Sequence, residues 1–176
     1  MRKRIAIDMD EVIADTLHHQ IVRYNKEFGA ALTLEQLVGK EMCDAVHADH
    51  RSLVASYPYQ KGFFEDIPVV PHSQDVVLML TEHYDVFVTT AAMEYPNSFM
   101  EKFEWLGRHF PFIPWSHIVF CGDKGIIAAD YMIDDNAYHF EHFAGEGILF
   151  TAPHNVHEAR YRRVDDWMQV RDLFLP

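Results

Sequence analysis

The sequence predicts an α/β fold, in which a mainly parallel β-sheet is flanked by helices and a small helical insertion follows the first strand. Two observations lead to this prediction. From about residue 73 onward, short apolar runs alternate with segments of helical periodicity, as strands joined by helical crossovers do. Between the first apolar run and that region, residues 16 to about 55 carry only the helical pattern. The insertion therefore interrupts the sheet just after its first strand.

The first strand is predicted from the apolar run Ile5-Ala6-Ile7, which ends on Asp8 and Asp10. Alternate side chains of an extended segment share a face, so both carboxylates can reach one site where the strand enters a loop. Charged residues also end strands without binding anything. The pair alone therefore does not identify a site.

The first helix of the insertion is predicted from an apolar stripe at helical spacing, with Asp15 as its N-cap and Gly29 at its end. The stripe consists of Leu17, Ile21, Tyr24 and Phe28. Thr33 and Gln36 have the spacing of a capping box and predict a second short helix. Prolines and glycines then mark the return to the main body, at Pro58, Gly62, Pro68 and Pro71. We therefore expect a helical cap at 16–67 and a core domain formed by 1–15 and 68–176.

The rest of the chain is predicted to alternate between helix and strand. Helices are expected near 73–83, 97–109 and 164–174, and strands at 85–90, 117–121, 130–134 and 147–151. Ser98 and Glu101 have the spacing of a capping box for the second of these helices. Its buried face is expected to carry Phe99, Phe103, Leu106 and Phe110.

Composition and charge limit the partners. The chain has 176 residues, the size of one domain with an insertion, and 49% of them are hydrophobic. Its 15 lysines and arginines face 27 aspartates and glutamates, which gives a formal charge of -12. Such a molecule repels long polyanions, so a nucleic-acid polymer is not expected as a partner. A small phosphate ester is compatible, because a metal ion and a lysine can reverse the local potential.

Cysteine content and the amino terminus bear on the compartment. Only Cys43 and Cys121 occur, so a disulfide framework is not expected and a reducing compartment is the simpler interpretation. The basic start at residues 1–4 is followed by only three apolar residues before an aspartate, too few for a signal peptide or a membrane span. We therefore expect a cytoplasmic protein without a membrane partner.

Polar groups follow three further strands in an order that suits phosphoryl transfer. These groups are Thr90, Lys124, Asp134 and Asp135. We choose Thr90 over Thr89, because the last residue of a strand is the one that reaches the loop. The carboxyl ends of parallel strands share one edge of the sheet, so all these groups are expected to meet the first acid pair there.

The ordered residues resemble the four motifs of the haloacid dehalogenase-like (HAD) phosphatases, over almost the whole chain. The motifs are Asp8-Met9-Asp10-Glu11-Val12, Thr90, Lys124 and Ile133-Asp134-Asp135. Within that superfamily, residues 8–15, 62–64, 90–105 and 123–124 resemble the 5′(3′)-deoxyribonucleotidases, which remove phosphate from deoxynucleoside monophosphates. The resemblance implies a Rossmann-like HAD core with a cap, a deoxynucleoside monophosphate as substrate, and a homodimer.

The resemblance also implies a role for each motif residue. Asp8 would be the nucleophile that forms an aspartyl-phosphate, and Asp10 would be the general acid and base. Thr90 and Lys124 would bind the phosphoryl group. The ligands of Mg²⁺ would be Asp8, the backbone carbonyl of Asp10, and Asp134 or Asp135. Adjacent residues of a strand point to opposite faces, so one of the last two is expected to touch the metal.

Two positions depart from the motifs, and one segment offers a substrate contact. Glu11 stands where relatives often carry glycine, and Ala91 follows the motif threonine where the mammalian-type nucleotidases have serine. Phe63 and Phe64 lie on the segment that returns from the cap, where an aromatic face could stack on a nucleobase. Packing in the core is an equally good interpretation of those two side chains.

Two other functions remain open from the sequence. A phosphatase with the same mechanism could act on a sugar phosphate or another small metabolite. A non-catalytic phosphate-binding module could have kept the fold, but such a module should have lost at least one motif residue. A carbon-halogen hydrolase is disfavoured because Asp10 is present. The twelve histidines show no zinc-protease arrangement, so structural or surface roles are expected for them.

Overall fold

The computed structural model describes residues 2–175, which contain one six-stranded sheet with parallel pairing throughout. The strands are β1 (Arg4–Asp8), β2 (Asp85–Thr90), β3 (Ile118–Phe120), β4 (Tyr131–Asp134), β5 (Glu146–Phe150) and β6 (Arg162–Val164). Their order across the sheet is β3-β2-β1-β4-β5-β6. The predicted α/β fold is therefore confirmed.

Strand β1 lies inside the sheet, between β2 and β4. Ile5, Ala6 and Ile7 have no exposed surface, as expected for an inner strand of a parallel sheet that is covered on both faces. Ile7 is in register with Val88 of β2 and Ile133 of β4. The chain adds β2 and β3 on one side of β1 and the later strands on the other. A crevice that suits a ligand forms at such a reversal, at the carboxyl ends of the strands.

Six α-helices complete the described part of the chain. They are α1 (Thr16–Phe28), α2 (Met42–Ala45), α3 (Arg51–Ala55), α4 (Ser73–His83), α5 (Phe99–His109) and α6 (Trp167–Phe174). The first three belong to the insertion after β1, where short 3-10 turns connect them. α4 contacts β2 and α6. No helix within residues 2–175 combines the length and apolar character that crossing a bilayer requires.

The first helix of the insertion follows its sequence signals closely. The side chain of Asp15 accepts a hydrogen bond from the backbone N–H of His18, at 3.2 Å, so it is the predicted N-cap. Gly29 ends α1 in the left-handed conformation, with φ of 60°. The segment at 34–37, predicted as a short helix, is a 3-10 turn in which the Gln36 side chain accepts from Thr33 N. Local capping chemistry therefore fixes both starts.

The chain enters and leaves the insertion through two segments that lie side by side. Ala14 forms an antiparallel bridge with Val69. The backbone N–H of Asp15 donates to the carbonyl of Pro68 at 2.8 Å, and Val70 donates to Ile13 at 2.9 Å. Buried apolar residues of the insertion belong to the same hydrophobic cluster as those of β1 and β2. The insertion is therefore packed onto the sheet domain.

Three expectations about α5 and the carboxyl terminus are wrong. Ser98 and Glu101 form no capping box: Ser98 Oγ is buried without a hydrogen-bond partner in residues 2–175, and the Glu101 carboxylate bonds the backbone of 62–64. Phe103 is 45% exposed, since Trp105 is the aromatic residue that the buried face of α5 carries. Residues 162–164 form a sixth strand where a helix was expected to begin, and α6 starts later, where the Asp166 side chain accepts from Gln169 N.

Candidate active site

A cavity of about 370 Å³ lies at the carboxyl edge of the sheet, between the strands and the insertion. Its walls include Asp8, Asp10, Lys124 and Asp135 from the sheet side, and Leu17, Met42 and Phe64 from the insertion side. A volume of this size accommodates a small organic molecule. Residues from strands far apart in sequence meet here because parallel strands end at one edge.

Asp8, Lys124 and Asp134 form the buried centre of the cavity floor. Lys124 Nζ lies 2.6 Å from Asp8 Oδ1 and 2.6 Å from Asp134 Oδ2. None of the three side chains is more than one tenth exposed. Asp8 and Asp134 come from neighbouring strands, and Lys124 comes from the loop between β3 and β4. The structure therefore brings together three residues that the sequence motifs selected.

Burial shapes the protonation of this centre. It raises the pKa of Asp8 to about 6, although the Lys124 ammonium acts in the opposite direction. Burial also raises the pKa of Asp134, and it holds that of Asp135 well above its usual range. The pKa of Lys124 is raised despite its burial, because Asp134 and Asp8 stabilise the ammonium. Lys124 therefore stays protonated at neutral pH, whereas burial makes ionisation of the three surrounding carboxyl groups less favourable.

The acids fit a divalent cation. Oxygens of Asp8, Asp134 and Asp135 lie within 4.8 Å of one another, and all three residues are buried. Three carboxylates against the single ammonium of Lys124 leave two formal negative charges, so a dication would neutralise the cluster. An all-oxygen donor set is the kind that Mg²⁺ prefers. Asp134 and Asp135 both reach Asp8, rather than one of them alone, since Asp135 lies just beyond β4 and escapes the alternation of a strand.

The backbone of Asp135 is held in place by contacts from the loop after β5. Its backbone carbonyl accepts from Asn155 Nδ2 at 2.7 Å, and His154 Nε2 lies 3.2 Å from the same oxygen. Arg163 in turn donates to Asn155 Oδ1 at 2.8 Å. The loop after β5 and the start of β6 thus fix the backbone that follows β4.

Asp10 occupies a different environment from Asp8. Its side chain is 31% exposed and lines the cavity. One carboxylate oxygen accepts from the hydroxyl of Thr16 at 3.0 Å, and the other pairs with the ammonium of Lys102. Lys102 Nζ also donates to Thr90 Oγ1 at 3.0 Å. The predicted pair of acids therefore splits into a buried one and one that can exchange protons with the cavity.

Lys102 is the site residue that sequence reasoning missed. It is 1% exposed, although it lies in the middle of α5. A lysine in a helix is usually a solvated surface residue, so its position carried no motif signal. The available signal was periodicity: Lys102 falls on the same face as Trp105 and Leu106, which are buried. A charged residue on an apolar helix face needs a partner, and here Asp10 and Thr90 supply it.

Glu11 has a backbone conformation that is unusual for a residue with a side chain. Its φ is 59°, in the left-handed region that glycine adopts without strain. Its carboxylate accepts from Leu17 N at 2.5 Å, at the start of α1. Burial, followed by the neighbouring Asp15, holds the pKa of Glu11 well above its usual range. The side chain therefore ties the acidic loop to the first helix of the insertion.

Phe63 and Phe64 separate in the structure. Phe64 lines the cavity, and its ring centroid lies 4.6 Å from Lys102 Nζ. Phe63 packs edge-on against Phe64 and His19 and is not part of the lining. Both rings are at most 2% exposed. Of the two, Phe64 is the one in the cavity lining.

Comparison with known proteins gives close relatives over the full length. Residues 2–176 match the family described as 5′ nucleotidase, deoxy (Pyrimidine), cytosolic type C protein. A Staphylococcus epidermidis protein, provisionally named a 5′(3′)-deoxyribonucleotidase, is 47% identical over 173 residues, which cover 98% of this chain and 96% of that protein. The 5′(3′)-deoxyribonucleotidase of Bacillus subtilis is 38% identical over 175 residues, 99% of this chain and 100% of that protein.

Solved structures give the fold independently. A haloacid dehalogenase-like family hydrolase from Streptococcus pneumoniae superposes with a TM-score of 0.59 at 14% identity, covering 99% of both chains. A HAD-superfamily hydrolase of subfamily IA from Geobacter sulfurreducens gives a TM-score of 0.59 at 13% identity, covering 99% of this chain and 97% of that one. At these identities the likeness concerns the fold, and it confirms the HAD-like core expected from the motifs.

Proposed function

The chain belongs to the family of cytosolic type C deoxy (pyrimidine) 5′ nucleotidases, and from that premise we propose that it is a Mg²⁺-dependent 5′(3′)-deoxyribonucleotidase. Hydrolysis of a phosphate monoester is the reaction class of the family. The substrate proposed for this chain is a deoxynucleoside monophosphate. Its relatives named 5′(3′)-deoxyribonucleotidases, matched over nearly their whole length, support this choice.

One observation supports the mechanism above all others: Asp8, a buried carboxylate, lies 2.6 Å from Lys124 and beside two further acids at the floor of the cavity. A carboxylate whose pKa is about 6 is mostly ionised at neutral pH and can act as a nucleophile. When bound by Asp8, Asp134 and Asp135, Mg²⁺ would offset the repulsion between these acids and a phosphate dianion.

The first half of the reaction transfers the phosphoryl group to Asp8. An oxygen of Asp8 attacks phosphorus, and the bond between phosphorus and the ester oxygen breaks. Asp10 gives its proton to that leaving oxygen, which departs as the hydroxyl of the nucleoside. Lys124 and Lys102 stabilise the charge that develops on the phosphoryl oxygens, and Thr90 orients Lys102 through the 3.0 Å hydrogen bond.

The second half releases phosphate. Asp10, now a carboxylate, takes a proton from a water molecule that attacks the phosphorus of the aspartyl-phosphate. The bond between phosphorus and the Asp8 oxygen breaks, and inorganic phosphate leaves. Asp10 thereby regains the proton it gave away, so the cycle closes. The partial exposure of Asp10 suits this exchange, since water reaches it through the cavity.

The nucleophile assignment is tested by Asp8→Asn, with Asp75→Asn, an exposed position in the first turn of α4, as the matched control. We expect Asp8→Asn to lose phosphate release by about 10⁴-fold or more, as removal of a nucleophile does in other enzymes. The control should keep the activity of the unchanged protein. Similar activity in both variants would exclude Asp8 as the nucleophile.

The substrate is tested with a panel of phosphate esters at saturating Mg²⁺. The panel contains deoxynucleoside 5′- and 3′-monophosphates, ribonucleoside monophosphates and sugar phosphates. We expect the highest kcat/KM for a deoxynucleoside monophosphate. A sugar phosphate that is preferred over every nucleotide would leave the phosphatase assignment standing and remove the nucleotidase one.

A further inference from the structure

One face of α5 and of the turn before it holds the backbone of the segment that returns from the insertion. Four side chains, spaced so that they share one side of the helix, each bond a main-chain atom of residues 58–67. These contacts are Asn97 Nδ2 to Pro58 O at 3.0 Å, Glu101 to Gly62 N and Phe64 N, Arg108 to Glu65 O, and Trp105 Nε1 to Ile67 O at 2.8 Å. The return segment is therefore fastened to the sheet domain along its length.

Glu101 is the central contact of this row. Its side chain is 7% exposed, and its two oxygens accept from Gly62 N at 2.6 Å and from Phe64 N at 3.1 Å. A carboxylate that bonds two backbone N–H groups fixes their orientation more firmly than a neutral acceptor would. Gly62 has φ of 85°, in the left-handed region that glycine adopts without strain, and in this loop conformation Gly62 N and Phe64 N both donate to one carboxylate.

The loop that Glu101 holds carries a wall of the cavity. Phe64 N is bonded to Glu101, and the Phe64 ring lines the cavity above Lys102. Glu101 and Lys102 are consecutive in α5. Glu101 therefore fixes the backbone of Phe64, while Lys102 contacts Asp10 and Thr90.

The phosphoryl group and the rest of a substrate meet different parts of this site. Groups that suit phosphate lie on strand ends and on α5, whereas the organic part must extend toward Phe64 and the residues of the insertion. A flat base gains from stacking only when the aromatic surface is held in place, because an unfixed ring must be ordered again at each binding event.

We propose that Glu101 is a positioning residue for nucleoside selectivity: by fixing the 62–64 backbone, its carboxylate sets the Phe64 wall against which the nucleoside binds. This inference rests on the proposed function and deepens it. Glu101 does not touch the substrate. It acts through Phe64, and its loss should affect substrates that have a base more than substrates that lack one.

The test compares Glu101→Gln with Glu104→Gln, an exposed glutamate on the same helix. Glutamine places an NH₂ group against one of the two backbone donors, so the clasp loses a hydrogen bond at an almost unchanged size. Each variant is assayed with a deoxynucleoside 5′-monophosphate and with 2-deoxyribose 5-phosphate, which lacks only the base. We expect Glu101→Gln to raise KM for the nucleotide by roughly tenfold and to change kcat/KM for the sugar phosphate by much less. Glu104→Gln should change neither.

A double-mutant cycle shows whether Glu101 acts through Phe64. In a Phe64→Leu background, Glu101→Gln should add little to the rise in KM, since the wall it positions is already gone. Full additivity would contradict the proposal. So would an equal loss on both substrates, which would indicate a general effect on the reacting centre.

Gly62→Ala disturbs the same loop by another route and covers the case in which Glu101→Gln folds poorly. Its strained backbone should give the same selective loss of nucleotide affinity, with the circular dichroism spectrum retained. Normal selectivity in a folded Gly62→Ala protein together with an unfolded Glu101→Gln protein would overturn the positioning role. If the wild-type protein preferred 2-deoxyribose 5-phosphate to the nucleotide, that result would refute the proposed function itself, before any variant is compared.

Discussion

Lys102 joins Asp10, the general acid of the proposed mechanism, to Thr90. Its ammonium bonds both Asp10 and Thr90 and is 1% exposed, so it cannot relax toward solvent. Removing it leaves the Asp10 carboxylate without its partner and takes a positive charge away from the cavity. A single lysine on a helix therefore pairs with Asp10 and adds a positive charge to the site, and none of the residues at the strand ends does both.

We expect Lys102→Met to lower kcat/KM by about 10²-fold to 10³-fold, the cost of one electrostatic stabiliser of a transition state. Steady-state kinetics with a deoxynucleoside monophosphate measures the loss. Lys26→Met, an exposed lysine in the last turn of α1, is the control and should leave kcat/KM unchanged. Full activity in Lys102→Met would show that Lys124 alone supplies the positive charge that the reaction needs.

Asp8 makes the metal-free protein sensitive to pH in a predictable direction. Burial raises its pKa from 3.8 to about 6, so between those values the folded chain binds more protons than the unfolded chain. The free energy of unfolding then increases as the pH falls through this window. We expect the Tm of the EDTA-treated protein to rise between about pH 7 and pH 5.

Asp8→Asn separates this effect from other titrations. Its metal-free Tm should change less with pH over the same range, because one of the buried acids no longer takes up a proton. Parallel Tm curves for the two proteins would mean that Asp8 does not titrate there. Differential scanning fluorimetry in matched buffers is sufficient.

The strand-end residues could be predicted and Lys102 could not, for a physical reason. Asp8, Lys124 and Asp134 follow apolar runs, and the geometry of a parallel sheet alone brings such positions together. Lys102 reaches the site from a helix face, which depends on how α5 rotates about its own axis. Phe103 shows the same limit: the helix was expected to bury it, but the helix buries Trp105 and Lys102 instead.

At the level of elements, strands and helices with clear ends were predictable and contacts between them were not. α1 begins and ends as its caps indicate, and α4 spans the predicted residues 73–83. β6 escaped prediction because it is three residues long and contains two arginines. The Ser98–Glu101 spacing suggested a capping box, but the Glu101 carboxylate instead accepts from two backbone N–H groups of the loop at 62–64, which is distant in sequence.

Two glycines give opposite predictions because their surroundings differ. A Cβ at Gly147 in β5 would lie 2.5 Å from the Phe140 ring, which is itself buried. A Cβ at Gly107 in α5 would meet nothing within 4 Å. We expect Gly147→Ala to destabilise the protein by about 1–3 kcal/mol through overpacking. Gly107→Ala should stabilise it by about 0.5–1 kcal/mol, since alanine favours the helix.

Urea unfolding followed by fluorescence measures both changes from the transition midpoints. The two substitutions add the same methyl group, so a shift of the same sign in both would contradict this account. The activity of Gly107→Ala should stay normal, because the position faces solvent.

On the scale of the whole molecule, helix α6 contacts the segment that follows β1. Trp167 of α6 donates its indole N–H to the carbonyl of Val12 at 2.7 Å, and both residues are fully buried. Val12 lies in the loop that follows Asp8 and contains Asp10. Helix α6 therefore holds the backbone of the loop that contains Asp10.

We expect Trp167→Phe to cost about 1–3 kcal/mol of unfolding free energy, because the Val12 carbonyl loses its buried donor. kcat should fall as well, since the loop that Trp167 supports follows Asp8 and contains Asp10. Trp115→Phe is the control, as that side chain is 78% exposed and should change stability by less than about 0.5 kcal/mol. A stable, fully active Trp167→Phe protein would show that the carboxyl terminus does not support the loop.

The chain enters the insertion at 13–15 and leaves it at 68–70, and because these two segments are adjacent the insertion could be exchanged as a unit. The entropy cost of closing a loop between two neighbouring segments rises only slowly with the length of the loop. A different insertion could therefore be grafted at these positions without changing the order of the strands in the sheet. A graft at those joints would also remove the main-chain groups of residues 58–67 that α5 bonds, so the foreign segment would have to supply equivalent groups. Chimaeras built at those joints would let substrate range evolve, or be engineered, while the hydrolytic machinery stays as it is.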